Sequence, residues 1–368
     1  MMEEVAEALQ DRDYRTAQIL LKELKQSEPQ NPWVNFYMAR LYESTGKLAT
    51  AEKVYRQLLK GTTNTKIITQ ARQGLARIEA IEVEQKRTAI ANALAEPGGK
   101  EPGILILEQI APEMRKTAGE KFARIMELDP YVARLQLPGR GWRLFRTGPV
   151  GELGYYTSRL QQAEINSFCI PINDLAKINV FNINYFESVA PQPIVYCKSK
   201  EGQMGKLTFD WSEVQQRVEG LLPLFEKIEV MDARRKFQEK TKTLDYSQFC
   251  DLHLPQRNAI LRFSDSYYEF QKGITLAQKP KDIQPKNLTT TRKNWQNLTD
   301  FFNHKLPETP IWSDFSVFAD IALDFQELLK RIEANIELVR PEPTLWDQAF
   351  QLYSSLVFLR NNPENNKI

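Results

Sequence analysis

The sequence predicts a multidomain protein of the α and α+β classes, with helical hairpins at the N-terminus, a mixed α+β domain in the centre and a helical C-terminal region. Three observations predict this order. An apolar pattern with a period of 34 opens the chain, strand-like alternation follows a cluster of prolines and glycines, and helical spacing returns beyond residue 290. The length of 368 residues suffices for two or three domains. We therefore expect domains over 1–95 and 104–275, then a linker with a helical region over 276–368.

The N-terminal pattern consists of two segments whose residues match in register. Each segment places an alanine, Ala17 or Ala51, where two antiparallel helices cross closely, and larger residues follow that fill the gap to the next pair. The matching positions are Tyr14, Ala17, Leu21 and Leu24 in the first segment and Leu48, Ala51, Tyr55 and Leu58 in the second. A further helix, from Ile67 to Ile90, is expected to cap the stack. The residues expected on its packed face are Ala71, Leu75, Ile78 and Val83.

These segments resemble the tetratricopeptide repeat (TPR) family, in which small residues, aromatic residues and a turn glycine recur at fixed positions. The residues that carry the resemblance are Ala17 and Pro29 in the first segment and Ala39, Tyr42, Gly46, Ala51 and Tyr55 in the second. Arg12 replaces the turn glycine of the first segment, and Thr63 replaces a usual proline of the second. The resemblance covers about residues 1–90.

TPR units have no chemistry of their own, so the resemblance implies a concave surface that binds a peptide or helix of a protein partner. The groove residues that it suggests are Asn35, Met38 and Tyr42. The alternative is a helical bundle that only packs against the rest of the protein. The remaining chain is similar only to an uncharacterised bacterial group of TPR-containing proteins, which implies no activity.

The centre begins after the Pro/Gly cluster at 96–103, which is typical of a linker or a sharp turn. Strand-like residues at 141–148 and 167–172 flank a helical pattern at 151–165. This spacing predicts one β-α-β crossover. A further strand is expected at 179–188.

Antiparallel patterns fill the second half of the centre. Apolar arms around a polar turn predict a β-hairpin at 193–211, and a second hairpin is expected at 257–273. Ser212 is a favourable helix N-cap, so a helix is expected from there to Pro223. The centre forms either one domain or two small subdomains, with bounds 104–178 and 179–275.

The C-terminal region carries amphipathic helical patterns at 294–307, 315–339 and 344–362. Residues 297–368 contain eleven acidic and six basic residues, a net −5, whereas residues 121–160 contain seven basic and three acidic residues, a net +4. The acidic end either docks on the basic centre or forms a solvated helical surface.

The basic centre contains a cluster of arginines among aromatic residues and glycines. Its members are Arg134, Arg140, Arg143 and Arg146, with Trp142 and Phe145 between them. Guanidinium groups beside aromatic rings can bind a phosphate, and backbone N–H groups near Gly148 and Gly151, before a helix, can bind an anion. The cluster therefore suggests a site for a nucleotide or another phosphorylated small molecule. The alternative is a strand whose arginines face solvent and whose aromatic residues are buried.

Composition argues against catalysis and against a surface that coats nucleic acid. The formal net charge is +2, from 49 basic and 47 acidic residues. Two histidines and three cysteines without a Cys-x-x-Cys pair favour buried free thiols in a reducing compartment over a metal site or a catalytic set. No stretch approaches the ~20 apolar residues of a membrane span, and the acidic start lacks a signal core. We therefore expect a cytoplasmic location without membrane insertion.

Together these observations favour a non-enzymatic adaptor, scaffold or assembly factor without a cofactor, which binds a protein partner through its helical repeats. One alternative is a ligand-sensing regulator that binds a nucleotide or phosphorylated small molecule at the arginine cluster. A second alternative is an RNA-associated factor, although the balanced charge makes nucleic acid the least favoured partner.

Overall fold

A computed structural model of the chain describes residues 1–231, 237–275, 290–338, 340 and 344–361, with the backbone alone for 227–231 and 237–240. The chain forms two compact units, Met1–Asn92 and Ala93–Ile368. The first unit is helical, and every strand that the structure describes belongs to the second. The division between the units lies close to the boundary expected near residue 95.

Five helices build the first unit, and local capping determines where they begin. They are α1 (Met2–Gln10), α2 (Tyr14–Ser27), α3 (Pro32–Ser44), α4 (Leu48–Gly61) and α5 (Thr65–Ala95). Asp13 accepts a hydrogen bond from the backbone N–H of Thr16 at 3.1 Å, which starts α2. Asn31 caps α3 in the same way through the backbone N–H of Trp33, at 2.9 Å. The two helical hairpins that the repeat predicts are confirmed.

Two apolar clusters fill this unit, one under α1–α3 around Leu21 and the other under α3–α5 around Tyr55. The packed face expected for α5 is correct for Ala71 and Ile78, which are buried. It is wrong for Val83, which is 56% exposed, because the buried row of α5 within this unit ends at Ile78.

A three-stranded antiparallel sheet opens the second unit. Its strands are β1 (Pro102–Leu107), β2 (Arg143–Pro149) and β3 (Ser167–Pro171), and its helices are α6 (Arg115–Met126), α7 (Pro130–Gln136) and α8 (Val150–Gln162). The order is β2-β1-β3, so β2 and β3 run parallel on either side of β1 with α8 between them in sequence. The predicted β-α-β crossover is therefore confirmed. Alternate residues of β1 enter two cores, because Leu105 packs with α6 and α8 while Ile104 faces the C-terminal helices.

A seven-stranded mixed sheet follows the short helix α9 (Ile172–Leu175). Its strands are β4 (Asn179–Ser188), β5 (Ile194–Lys198), β6 (Met204–Thr208), β7 (Gln216–Met231), β8 (Phe237–Leu254), β9 (Ala259–Ser264) and β10 (Ile311–Trp312). Their order is β10-β7-β8-β9-β4-β5-β6, with parallel pairing of β10 to β7 and of β9 to β4. The strand expected at 179–188 and the hairpin expected at 193–211 are confirmed as β4 and as the β5–β6 pair.

The helix expected from Ser212 to Pro223 is wrong. A single 3-10 turn, Trp211–Glu213, leads into β7, which pairs with β8 along its length. Val218 and Leu222 are both fully buried, and their spacing of four fits one face of a helix and equally one face of a strand. The neighbouring strand decides between the two structures, because the backbone of β7 finds its hydrogen-bond partners in β8.

The hairpin expected at 257–273 is wrong in its second arm. β9 forms the first arm, but it already pairs with β8 on one side and with β4 on the other. β9 therefore has no free edge with which residues 265–273 could pair, and these residues do not form a strand beside it. In this segment Tyr268 packs against Phe263, and its hydroxyl accepts a hydrogen bond from the backbone N–H of Phe186 at 3.2 Å.

Helices return in the C-terminal region. They are α10 (Thr291–Lys305), α11 (Phe315–Ala322), α12 (Gln326–Leu329) and α13 (Leu345–Arg360). The pattern at 315–339 forms two short helices rather than one, since residues 323–325 interrupt it and residues 330–338 are not helical. From Ala349 to Leu359 every residue of α13 is buried, so α13 is a core helix rather than an amphipathic surface helix. The expected linker falls largely on 276–289, outside the described residues.

The division expected near residue 275 does not coincide with a division between compact units. Helices α11–α13 share one apolar core with Ile104 of β1 and Phe249 of β8. On the other face of the large sheet, α10 packs through Trp295 and Phe302 against Phe263. The C-terminal helices cover the sheet because its apolar faces need a second layer.

Candidate functional site

A cleft of about 510 Å³ lies in the first unit, between α2 and α3. Five of its lining residues are apolar or aromatic. Leu21 and Leu41 are buried at its base, and Tyr14, Met38 and Tyr42 are half-buried around them. Such a surface can accept the apolar side chains of a bound peptide.

The three groove residues suggested by the TPR resemblance lie on α3, in or beside this cleft. Met38 and Tyr42 line it directly. Asn35 accepts a hydrogen bond through Oδ1 from Nζ of Lys25, at 2.7 Å, and Lys25 lines the cleft from α2. The structure therefore brings all three residues together with the facing side of α2.

Four cationic side chains also line the cleft, namely Arg15, Lys22, Lys25 and Lys47. Among its lining residues in the described part of the chain there is no aspartate or glutamate. The summed field in the cleft is therefore positive and favours anionic groups. We did not expect these cations from the sequence, although Arg15, Lys22 and Lys25 recur at intervals that place them on one face of α2.

A hydrogen-bonded network holds α3 in place beside the cleft. Tyr55 Oη donates to the carboxylate of Glu43 at 2.7 Å, and the guanidinium of Arg77 donates to the same carboxylate at 2.6 and 3.0 Å. Burial opposes ionisation of Glu43, but the hydrogen bonds from Arg77 and Tyr55 outweigh it and lower the pKa of this carboxyl. The network ties α3 to α4 and α5, and so it sets the position of one wall of the cleft.

Three arginines of the central cluster, Arg140, Arg143 and Arg146, have different polar partners, and Arg134 packs against a neighbouring helix. Arg140 Nε donates to Oδ1 of Asp314 at 2.7 Å, which joins the basic centre to the acidic C-terminal region within the second unit. Arg143 donates to Oε1 of Gln136 at 2.6 Å, and burial lowers the pKa of its guanidinium. Arg134 lies on α7, where its side chain packs over Gly119.

Arg146 and the aromatic residues of the cluster also make contacts within the fold. The guanidinium of Arg146 lies over the ring of Tyr156, 5.2 Å from its centroid, and forms an ion pair with Glu152 at 3.8 Å. Trp142 is 6% exposed and packs against Trp312 and Phe168 in the core. The geometry favours the interpretation in which the aromatic residues are core and the arginines serve the fold.

The backbone N–H groups at the start of α8 are also used within the fold. Val150 donates to the carbonyl of Glu101 and Gly151 to the carbonyl of Gly99, both at 2.8 Å. A side chain at Gly151 would collide with the backbone of Ala93, so this glycine is required for close packing. The N–H group of Gly151, which was expected to bind an anion, therefore has a partner already, while Gly148 lies in the β1–β2 ladder opposite Gly103.

Of the histidines and cysteines, His253, Cys197 and Cys250 are buried, Cys169 is half-buried and His304 is exposed near the end of α10. His253 is 1% exposed, and burial lowers its pKa to about 4. Burial raises the pKa of the Cys250 thiol to about 12 and also raises the pKa values of Cys169 and Cys197. Thiols with raised pKa values stay protonated at neutral pH and are poor nucleophiles.

The described residues contain neither a candidate metal site nor a candidate membrane-spanning helix. No group of three or more His, Cys, Asp or Glu side chains is placed to hold a metal ion in the ranges that the structure covers. Within the same ranges, no helix combines the length and the apolar character needed to cross a bilayer.

Comparison with known proteins recognises one part of the chain. Residues 8–71 match the family model described as tetratricopeptide repeat, and this range contains the helices that line the cleft. Searches of the curated proteins and of the solved structures found no match. Residues 8–71 are therefore a tetratricopeptide-repeat segment, and this kind of repeat indicates interaction with another protein.

Proposed function

We propose that the protein is a non-enzymatic adaptor whose first unit binds an acidic segment of a partner protein in the cleft between α2 and α3. The TPR segment supports binding to a protein in general. The observation that carries the finer proposal is the lining of the cleft, where four cations surround apolar residues and no acid is found among the described lining residues.

The two kinds of lining residue recognise different features of such a segment. Met38 and Tyr42 contact apolar side chains, while Lys22 and Lys47 attract carboxylates and exclude basic segments. An exposed ion pair contributes only about 0–1 kcal/mol, so apolar contacts supply most of the affinity and charge supplies the selectivity. We therefore expect a preference for acidic segments that carry one or two aliphatic or aromatic anchors.

The rest of the molecule supports a binding role without catalysis. His253 is buried and neutral, and burial raises the pKa values of the three thiols, so these four side chains offer neither a base nor a thiolate nucleophile at a surface. The engaged arginines of the centre give no support to a nucleotide or RNA site there. We propose a cytoplasmic location on the basis of the free cysteines.

The proposal is tested by fluorescence anisotropy with the full chain and a labelled 12-residue peptide in which glutamates alternate with leucine and phenylalanine at helical spacing. We expect saturable binding that weakens as salt rises from about 0.05 to about 0.5 M, because screening reduces the attraction between the cleft and the peptide. The double variant Lys22→Glu, Lys47→Glu is expected to lower the affinity at least about tenfold.

The matched control is Lys53→Glu, which reverses an exposed charge on α4 away from the cleft and should leave the affinity within about twofold. A second peptide carries lysines in place of the glutamates. Equal binding of the two peptides, or an affinity that the double variant leaves unchanged, contradicts the proposal.

A further inference from the structure

A pocket of about 310 Å³ lies within the second unit, where β1 begins and β2 ends. In the ladder between these strands Gly103 is opposite Gly148, and the next pair towards the solvent is Pro102 opposite Pro149. The pocket therefore adjoins one of the glycines that the sequence singled out for ligand binding, but on a different set of side chains from the arginine cluster.

The wall of this pocket is mainly apolar. Thr147 is opposite Ile104 in the ladder, so its side chain shares the sheet face on which the C-terminal helices pack. Ile172 of α9 and Leu328 of α12 close the other sides. This volume lies at the lower end of the range that holds small organic ligands.

Two cations at the rim of the pocket are uncommitted. Lys100 and Arg331 both line it and are exposed, and neither side chain makes a hydrogen bond or ion pair with another residue of the described ranges. Glu327 is the acid among the lining residues, and its Oε1 is engaged by Nζ of Lys330 at 2.7 Å. Lysine and arginine side chains have donors and no acceptor, so this rim selects an anionic group.

We propose that this pocket binds a small organic acid. Its carboxylate or phosphate group lies between Lys100 and Arg331, and its apolar part contacts Ile172 and Leu328. The planar fork of Arg331 can hold two anion oxygens at once, and the Thr147 hydroxyl supplies a further donor. The site lies in the second unit and does not depend on the peptide cleft of the first.

The test is calorimetric titration of the full chain with hexanoate, hexyl phosphate, inorganic phosphate and hexanol. We expect one saturable site for hexanoate or hexyl phosphate, and whichever binds more tightly identifies the head group. Hexanol lacks the charged group, and inorganic phosphate lacks the apolar chain. Each should therefore bind at least about tenfold more weakly, because it makes only one of the two kinds of contact.

Variants decide whether the site is this pocket. Lys100→Gln and Arg331→Gln should each weaken binding about tenfold or more, because each removes a charge-assisted hydrogen bond. Glu327→Gln should tighten binding, because it removes the negative charge at the rim. Lys116→Gln, an exposed lysine of α6 away from the pocket, should change nothing. Absence of saturable binding by both anions, equal binding of hexanol, or indifference to both cation variants overturns the proposal.

Discussion

Arg12 and Gly46 occupy the same turn of successive repeats, 34 residues apart, and both have a left-handed backbone, with φ of 61° and 76°. Each residue lies between the two helices of its hairpin. The repeat geometry therefore requires this conformation whichever residue is present. Glycine adopts it freely, whereas a residue with a Cβ pays about 1–2 kcal/mol.

Replacing Arg12 by glycine is expected to stabilise the first unit. The relief of backbone strain exceeds the extra unfolded-state entropy of glycine, which costs about 0.4–1 kcal/mol, so we expect a net gain of up to about 1 kcal/mol. This gain in stability is measured by hydrogen exchange in the full chain, where the backbone amides of α1 and α2 should exchange more slowly. Gly46→Ala is the opposite change and should speed exchange in α3 and α4. If Arg12→Gly leaves exchange unchanged or speeds it, the strain argument is wrong.

Replacing Gly74 by alanine is expected to destabilise the first unit, although alanine is normally the better helix residue by about 1 kcal/mol. A Cβ at Gly74 would lie 2.5 Å from Cζ of Tyr55. The Tyr55 ring is fully buried and its hydroxyl is bonded to Glu43, so it cannot retreat without losing that bond. Overpacking of this kind costs about 1–3 kcal/mol.

The measurement for Gly74 is thermal unfolding of the full chain, followed by hydrogen exchange of α4 and α5 to assign the loss to this unit. The control is Gly61→Ala at the end of α4, where a Cβ would meet nothing within 4 Å. That variant should be neutral or slightly stabilising. A Gly74→Ala protein as stable as the Gly61→Ala protein would show that the Tyr55 ring can move aside.

Local sequence patterns predicted those parts of the fold in which the residues of a helix themselves determine where it forms. The repeat period is readable in the sequence, and it predicted the hairpins that form the cleft. The structure adds the caps at Asp13 and Asn31, where α2 and α3 begin. The family pattern suggested the residues of α3 that line or adjoin the cleft, and their part in binding a partner stays a prediction. It did not suggest the cations of α2, because an exposed lysine such as Lys22 has the same local signature on any solvated helix.

The rest of the fold depends on which strands become neighbours, and that is not a local property. β7 has a helix-like spacing of buried residues, and only β8 beside it makes it a strand. In β8 and β9, Asp251, His253 and Arg262 alternate with apolar residues as solvent-facing side chains do. In the structure all three are buried, because α13 covers that face of the sheet.

Removing one member of the buried pair Arg262 and Asp251 should lower the stability of the protein far more than replacing both members by apolar residues. Both residues are fully buried, and Nε and Nη2 of the arginine donate to the two carboxylate oxygens at 2.9 and 2.7 Å. Gln351 accepts from the same guanidinium at 2.8 Å. Either Arg262→Met or Asp251→Leu alone leaves an uncompensated buried charge, so we expect each to cost about 3–5 kcal/mol.

The double variant Arg262→Met, Asp251→Leu should recover a large part of that loss, because no buried charge remains. Denaturant unfolding of the four proteins in a double-mutant cycle measures the coupling between the two residues. If the double variant is as unstable as the sum of the single variants, the cost arises from packing rather than from the unpaired charge.

Acid should destabilise the second unit through His253. Burial lowers its pKa from 6.5 to about 4, and Arg262 acts in the same direction, while Asp251 opposes both. The ring is 1% exposed, and its Nε2 lies 3.0 Å from Ser354 Oγ. The unfolded chain therefore binds a proton near pH 6.5, which the folded protein takes up only near pH 4.

Because the folded pKa is depressed, this contribution to stability is complete above about pH 6.5 and is lost as the pH falls towards 4. At about 1.4 kcal/mol per pKa unit, the loss near pH 4 is about 3 kcal/mol. Urea unfolding of the full chain at several pH values measures this loss as a difference in the free energy of unfolding between the wild type and His253→Gln. The amide of the glutamine can still donate to Ser354. The difference isolates the histidine from carboxylates that titrate in both proteins. Parallel pH profiles for the two proteins would show that His253 does not control acid stability.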